Sequence, residues 1–191
     1  PAAQRRSLPA VPVTLPLSPV NRYTLKLFNS LYFHRQRKIS RREQSPWHSW
    51  FFPLDAIGHW NRLYGKAGFR QYQCVVPDDV ITELLGIIRQ AGEGSFLAVL
   101  KKFGNRTSPA LMSFPRPGTT LALDFPFRGD KTTDLFSKLD ALVFSSGGAI
   151  YPAKDAHMSS TDFKSAYPAW EQVEAMRDPK INSLFWQRVT S

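Results

Sequence analysis

A short stretch near residue 150 combines side chains that could do chemistry. In GGAIYPAKDAHMS (147–159), Tyr151, Lys154, Asp155 and His157 fall within seven positions. The apolar run before them is typical of a buried strand, whereas lysines usually lie on helices or loop tips in contact with water. An ammonium group at the end of such a strand can donate hydrogen bonds to a ligand or partner as a compact positive charge. Lys154 is therefore a candidate site residue, and we expect Asp155 and His157 to be loop residues beside it.

Polar residues also recur on segments whose alternation predicts strands. The three segments are FRQYQCVVP, SFLAVLKKFG and TTLALDFPF. Because alternate residues of a strand point to the same face of a sheet, Gln71 and Gln73 share one face. Lys101 shares a face with Val99, and Thr120 is a small polar residue on the third strand. If helices cover the opposite face, these residues would line a surface for a ligand or partner; the alternative is a sheet face exposed to solvent.

Two segments with helical spacing separate the strands. DDVITELLGIIRQAG is predicted to begin at Asp78 as its cap and to end at Gly92, DKTTDLFSKLDALVFSSGG forms a second helix, and AIYP a fourth strand. The order β-α-β-β-α-β predicts an α+β fold, a ferredoxin-like antiparallel sheet with helices on one face. An N-terminal extension precedes this unit. The C-terminal tail adds two short helices, around Thr161–Ala166 and Pro168–Met176.

The beginning of the chain has a different character. Residues 1–20 contain five prolines and predict an extended connector without a helix. The next segment, NRYTLKLFNSLYFHRQRK, alternates poorly and fits either a strand or a short helix. The sequence starts at Pro1 rather than Met and looks like the interior of a longer polypeptide. We therefore expect this chain to be part of a larger protein.

Positive charge is concentrated in the same region. Nine Lys or Arg residues and one acidic residue precede residue 44, a net charge of +8, whereas the remaining 148 residues carry 16 bases and 14 acids. A basic segment over residues 5–42 could contact nucleic acid, an anionic membrane or a phosphorylated substrate. It could equally be a solvated linker that packs against another part of the protein.

Missing motifs exclude several classes of function. Without GxGxxG or a P-loop, this sequence has no nucleotide phosphate cradle of its own. The four histidines lack metal-ligand spacing, and neither HExxH nor G-x-S-x-G occurs. The sequence also lacks the RNP1 aromatic pattern of RNA-binding sheets, so we expect no nucleic-acid partner. The single cysteine, Cys74, excludes an internal disulfide and lies in a strand pattern typical of a buried, inert thiol.

A specific resemblance rests on motifs that occur in matching order: FFPLDAIGHWNRLYGKAGFRQYQCVVP, SFLAVLKKFG, SFPRPG, LDFPF and GGAIYPAKDAHMS, followed by spaced Tyr-Pro and Asp-Pro pairs. From about Leu17 onward, the chain resembles the C-terminal region of FAD-linked oxidoreductases of the vanillyl-alcohol-oxidase type. Within that family it is most similar to the enzymes that oxidise decaprenylphosphoryl-ribose.

The resemblance implies an enzyme of two domains. FAD would be bound mainly by an N-terminal domain preceding this chain, residues 1–20 would be the linker from it, and residues 21–191 would form the substrate-binding (cap) domain. The implied reaction oxidises an alcohol carbon of a sugar or polyol, including a prenyl-phosphate-linked cell-wall precursor, by hydride transfer to flavin. The implied partners are the N-terminal domain and the substrate, and the chain alone is expected to be inactive.

The resemblance also implies which residues form the site. Tyr151 and Lys154 match the family's Tyr-x-x-Lys, which contacts the flavin and takes part in catalysis. Hydride transfer leaves negative charge near the N1–C2 carbonyl region of flavin, and a fixed ammonium group stabilises it. The matching positions of the substrate pocket are Phe51, Gln73, Lys101 and Phe103, with Gln71 as a neighbour and Thr120 on the adjoining strand.

Some positions depart from the family pattern. Thr120 and Ala122 stand where the decaprenylphosphoryl-ribose enzymes typically carry Asn-x-Cys, and Phe51 stands at the position of a pocket tyrosine. These changes keep the oxidoreductase class and leave a different substrate open. Two further alternatives are a sugar-lactone or alditol oxidase that uses oxygen, and a basic ferredoxin-like module that binds nucleic acid or an anionic membrane through residues 5–42.

The composition also bears on location. No run approaches the ~18 apolar residues of a membrane-spanning helix. The single cysteine is consistent with a reducing compartment. We expect a cytoplasmic protein, with peripheral membrane contact through residues 5–42 as an additional expectation.

Overall fold

The computed structural model describes residues 10–14, 16–36, 47, 51, 52, 57–95 and 97–191, without the side chains of residues 35 and 36. The chain divides into two compact units, Pro1–Phe69 and Arg70–Ser191.

The first unit contains a 15-residue helix, α1 (Arg22–Gln36), and a short 3-10 helix (Trp60–Tyr64). Asn21 begins α1, because its Oδ1 accepts hydrogen bonds from the backbone amides of Tyr23 and Thr24 at 3.0 and 3.1 Å. The ambiguous segment after residue 20 is therefore a helix. The 3-10 helix ends at Gly65, whose φ of 73° lies in the left-handed region.

The second unit carries the sheet. Its elements are, in chain order, β1 (Phe69–Val76, beginning at the boundary), α2 (Ile81–Gln90), β2 (Ala98–Phe103), β3 (Gly118–Pro126), α3 (Asp130–Ser145), β4 (Ala149–Ile150), a 3-10 helix (Pro152–Lys154), α4 (Ser160–Ala166), α5 (Trp170–Met176) and α6 (Leu184–Thr190). The strand order is β2-β3-β1-β4, and both β2–β3 and β1–β4 are antiparallel. This order confirms the predicted α+β, ferredoxin-like arrangement.

One face of the sheet packs on the helices. Tyr72 and Cys74 of β1 are buried there, and the Tyr72 ring lies 5.0 Å from the ring of Phe136 on α3. Phe125 of β3 contacts Phe136 as well, at 5.6 Å. Leu84 of α2 is fully buried in the same cluster. The hydrophobic core thus lies between the sheet and the helices. The residues that alternate with these core residues along each strand point to the opposite face of the sheet.

The predicted cap of α2 is wrong. Asp78 does not bond to the start of the helix, which begins at Ile81 without a side-chain cap. Instead, Asp78 accepts a hydrogen bond from Thr119 Oγ1 at 2.7 Å and pairs with Lys102 Nζ at 2.7 Å. These contacts with Lys102 first, and then with Thr119, lower the pKa of Asp78. The carboxylate of Asp78 therefore bonds to donors on the neighbouring strands β2 and β3 and not to the first turn of α2. The helix stops before Gly92, as predicted, and the φ of Gly92 is 67°.

The glycine pair before β4 is needed for two different reasons. Gly147 has a φ of 73°, the left-handed conformation that commonly ends a helix. Gly148 lies against backbone on two sides, because a Cβ there would be 2.5 Å from the carbonyl oxygen of Val75 and 2.7 Å from that of Val143. The pair therefore lets the chain leave α3 and enter the sheet directly beside β1.

Candidate active site

The face of the sheet opposite the helices carries a group of polar side chains. We call it the polar face and define it by Gln71, Gln73, Lys101, Thr120 and Asp124. Gln71 Nε2 donates to Asp124 Oδ1 at 2.7 Å, and Gln73 Nε2 lies 3.4 Å from Thr120 Oγ1. Lys101 is directly opposite Thr120 in the β2–β3 register. The structure therefore brings together the four predicted strand residues, which come from three different strands.

The backbone of Tyr151 continues the pairing of β4 with β1. Cys74 is opposite Ile150, and the amide of Tyr151 donates to the carbonyl of Gln73 at 2.8 Å. The chain then turns into the 3-10 helix, where the amide of Lys154 donates to the carbonyl of Tyr151 at 3.0 Å. Pro152 suits the first position of this helix because its fixed φ matches a helical turn. Lys154 is thus partly buried one short turn beyond the sheet.

A buried carboxylate fixes the loop after Lys154. The side chain of Asp155 is fully buried, and its Oδ1 accepts from the amides of His157 and Met158, both at 2.9 Å. Arg188 of α6 donates to Asp155 Oδ2 at 2.8 Å and to the carbonyl of Met158 at 2.6 Å. Hydrogen bonds to a charged group are worth more than neutral ones. The final helix therefore holds the loop that presents Lys154.

A second pair of side chains fixes β4 itself. The hydroxyl of Tyr167 donates to the carbonyl of Ile150 at 2.6 Å, just before Tyr151. Arg116 stacks over the Tyr167 ring at 5.6 Å and donates to the carbonyls of Gly148 and Ala166 at 3.3 and 3.0 Å. Burial raises the pKa of Tyr167, so this hydroxyl stays protonated and remains a donor.

Aromatic rings form a row beside Tyr151. The Tyr151 ring lies 4.9 Å from that of Phe114, and Phe114 lies 6.0 Å from Phe103 in an edge-on arrangement. Phe103 ends β2, two residues after Lys101, so the row begins on the strand that carries this lysine. Polar donors and an apolar aromatic surface in one small region are typical of sites for small organic ligands.

Asp124 was not among the predicted site residues. It is 3% exposed, and its Oδ2 has no hydrogen-bond partner among the described residues. Burial raises the pKa of Asp124, while the hydrogen bond from Gln71 and the positive charge of Lys154 act in the opposite direction. The strand alternation that selected Thr120 also selects Asp124, four positions later, so the sequence did contain the signal.

Phe51 and His157 have separate surroundings. Phe51 belongs to the first unit, and its side chain is 69% exposed. His157 Nε2 lies 2.8 Å from Asp140 Oδ2 of α3, and its ring lies 5.0 Å from Phe136. Since Phe136 packs on the helix-covered face of the sheet, His157 is a loop residue tied to the helices, as expected, and not part of the polar face.

The residues present fit one side of a flavin–substrate junction. A partly buried ammonium group, amide donors on two glutamines, a carboxylate oxygen without a partner and an aromatic row can orient an alcohol and stabilise developing negative charge. No group of three or more potential metal ligands occurs in the part of the chain that the structure describes. None of the described helices is long and apolar enough to span a membrane.

Two known proteins are similar to this chain over most of its length. Over 175 residues the chain is 34% identical to decaprenylphosphoryl-β-D-ribose oxidase of Mycolicibacterium smegmatis, a match that covers 88% of this chain and 37% of that protein. It is 29% identical over 188 residues to an uncharacterised protein in the mprA 5′ region of Streptomyces coelicolor, covering 93% of this chain and 50% of that protein. The chain therefore spans half or less of the length of these relatives. No protein-family model matches it. The resemblance predicted from the ordered motifs is nevertheless confirmed, because this chain is similar over most of its length to a decaprenylphosphoryl-β-D-ribose oxidase.

Proposed function

We propose that this chain is the substrate domain of an FAD-dependent oxidoreductase that oxidises an alcohol carbon of a sugar or polyol, including one linked to a prenyl phosphate. An N-terminal domain of the same protein would bind most of the FAD. The observation that carries the proposal is the position of Lys154, a partly buried cation one turn beyond a polar sheet face, in a chain similar to a sugar-lipid oxidase.

The residues of the polar face and its surroundings have distinct chemical tasks in this proposal. FAD, when bound, supplies a hydride acceptor. Lys154 stabilises the negative charge that would develop on the flavin when it accepts the hydride from the substrate carbon. Gln73 and Lys101 donate hydrogen bonds to sugar oxygens or to a phosphate, the glutamine without adding charge. Tyr151, Phe114 and Phe103 present apolar surface to a ring and exclude water from it.

Anaerobic flavin reduction tests the proposal. In the flavin-loaded full-length protein, Lys154→Met keeps the apolar stem and removes the charge, and we expect the limiting rate of reduction by the substrate to fall about 10²–10³-fold. The matched control is Lys101→Met, which removes a cation from an exposed strand position. This change should weaken substrate binding and leave the limiting rate within about tenfold.

Two outcomes would contradict the proposal. A full-length protein that purifies colourless and takes up no flavin would exclude the oxidoreductase. A folded, flavin-loaded Lys154→Met protein that is reduced at the wild-type rate would show that Lys154 is only a residue at the end of a strand. Titrating the 191-residue chain with FAD tests whether another domain is needed to bind the cofactor. Tight flavin binding by this chain alone would contradict an N-terminal FAD-binding domain.

Peripheral membrane contact through residues 5–42 is a second part of the proposal. On α1, Tyr23, Leu27 and Leu31 are all more than 60% exposed at successive i, i+4 positions, next to the basic residues Arg22 and Lys26. A basic helix with exposed apolar residues is typical of membrane-surface segments. Binding to anionic liposomes should fall sharply between low and physiological salt, since interactions between exposed charges more than ~8 Å apart are largely screened at 0.15 M. Binding that salt leaves unchanged would contradict electrostatic recruitment.

A further inference from the structure

Asp124 is the acidic residue of the polar face. It lies on β3, on the same side as Thr120, and receives one hydrogen bond through Oδ1 from Gln71. Its own backbone amide donates to Ser95 Oγ at 3.0 Å, which fixes the strand at this point. With only 3% of the residue exposed, the carboxyl group cannot turn freely into solvent. Its position is therefore set by the sheet.

The second oxygen of this carboxyl group has no structural task. Oδ2 is buried and lacks a hydrogen-bond partner among the described residues, which is unusual because buried polar atoms are nearly always paired. The acidic residues on the helix-covered side do not show this feature, since Asp140 bonds to Tyr72 and His157, and both oxygens of Asp155 are bonded. A buried acceptor without a partner is available to a donor that arrives with a ligand.

The charges facing Asp124 suit an acceptor that takes up a proton. From β1, the amide of Gln71 hydrogen-bonds to it, and from the 3-10 helix the positive charge of Lys154 stabilises its ionised form. Ser95, in the loop before β2, contacts Asp124 through the backbone amide of Asp124 and not through its carboxyl group. Burial acts against ionisation and favours the protonated carboxyl group. Burial is the largest of these influences, so the pKa of Asp124 is raised above its ordinary value. A raised pKa makes a carboxylate a better proton acceptor, as general-base catalysis requires.

We propose that Asp124 is the base that accepts the hydroxyl proton of the substrate alcohol, an inference that rests on the function proposed above. In the balanced step, the C–H bond breaks and its hydrogen leaves with two electrons as a hydride to the oxidised flavin. The O–H bond breaks and its proton passes to Asp124 Oδ2, while the O–H electron pair forms the second carbon–oxygen bond of the carbonyl product. The flavin is the oxidant and the alcohol carbon is oxidised. Lys154 and Asp124 would thus act on opposite charges of the same reaction.

A purely structural role is the competing explanation, because the bond from Gln71 also links β1 to β3. Asp124→Asn separates the two roles: an asparagine Oδ1 still accepts from Gln71, while the amide that replaces Oδ2 cannot take up a proton. In the flavin-loaded full-length protein we expect the limiting rate of anaerobic reduction to fall about 10²–10⁴-fold, with substrate affinity nearly unchanged. A structural role would instead lower the melting temperature and the affinity.

The pH profile provides a signature that a structural role would not give. A base must be ionised to act, so the wild-type reduction rate should rise with pH through the pKa of Asp124, and this rise should be absent in Asp124→Asn. Gln71→Leu removes the hydrogen bond that lowers this pKa, so the midpoint should move to higher pH. The Gln71→Leu variant keeps the proposal testable if Asp124→Asn fails to fold.

A readout independent of turnover uses the carboxyl carbon itself. In protein labelled with ¹³C at aspartate carboxyl groups, one resonance should titrate above the ordinary range of aspartate and be missing in Asp124→Asn. The base role of Asp124 would be overturned, and the proposed function left standing, by either of two results. One is an Asp124→Asn protein whose flavin is reduced within about threefold of the wild-type rate, and the other is a pH midpoint that Gln71→Leu leaves unchanged. If neither sugars nor polyols reduce the flavin bound to the wild-type protein, the proposed function is overturned, and this inference with it.

Discussion

Replacing Arg188 by Met should loosen the loop that presents Lys154. Arg188 joins α6 to Asp155 through a 2.8 Å hydrogen bond to a fully buried carboxylate. Removing one partner of a fully buried ion pair costs about 3–5 kcal/mol. Here 34% of the Arg188 side chain is exposed and Asp155 keeps two backbone amide donors, so both the screening and the remaining bonds reduce the loss. We expect the free energy of unfolding to fall by about 1–3 kcal/mol.

The assay combines urea unfolding with hydrogen exchange. Exchange at the amides of His157 and Met158 should accelerate in Arg188→Met, because both amides donate to Asp155. The matched control is Arg177→Met, which removes an arginine from a more exposed pair with Glu174 and should destabilise the protein less. Equal unfolding midpoints for the two variants, together with unchanged exchange at His157 and Met158, would refute the conclusion that α6 fixes this loop.

Three further outcomes are expected. Gly148→Ala should destabilise the protein by about 1–3 kcal/mol because the new methyl group meets backbone carbonyls on two sides. Gly86 lies in the interior of α2 with open space around it, so Gly86→Ala should instead stabilise the protein by about 0.5–1 kcal/mol. Thermal unfolding of both variants checks the contrast. Burial raises the pKa of the Cys74 thiol to about 12, so a thiol reagent should label it only as fast as the protein unfolds; rapid labelling of the native state would contradict its burial. Hydrogen bonds from Arg177, and then from Trp186, lower the pKa of Glu174 to about 2, so the stability that this group contributes is present above its ordinary pKa of 4.5 and is lost as pH falls towards 2. Glu174→Gln should therefore reduce the fall in melting temperature between these pH values.

Much of the fold was predictable because its strands alternate strictly. The spacing of Gln71 and Gln73, and of Val99 and Lys101, predicts which residues share the polar face, and the structure pairs Lys101 with Thr120 across the strands. The sequence also predicted that a lysine would follow directly on β4. The resemblance, rather than alternation, gave Lys154 and Tyr151 their roles, and those roles stay predictions.

The remaining features depend on contacts between residues far apart in sequence. Asp78 has the residue type and position of a helix cap, yet Thr119, 41 residues later, takes its carboxylate. The segment that forms α6 begins with Ser183 as a cap, but its position depends on the pairing of Arg188 with a buried carboxylate and on the packing of Phe185 and Trp186 against Phe163. Asp124 lies on β3, and its partner Gln71 is 53 residues away in the sequence. Local pattern alone could not assign such partners.

The anchoring of the Lys154 loop by α6 has a consequence for biosynthesis. Arg188 follows Asp155 by 33 residues, so the arginine that fixes the loop is added to the nascent chain after all four strands have been translated. Domains emerge from the ribosome N-terminal part first. The sheet can therefore fold early, while the segment that carries the cation remains unanchored until α6 docks. Premature termination within α6 would then yield a protein with an intact sheet and an unfixed Lys154, folded by spectroscopic criteria but impaired in the proposed reaction.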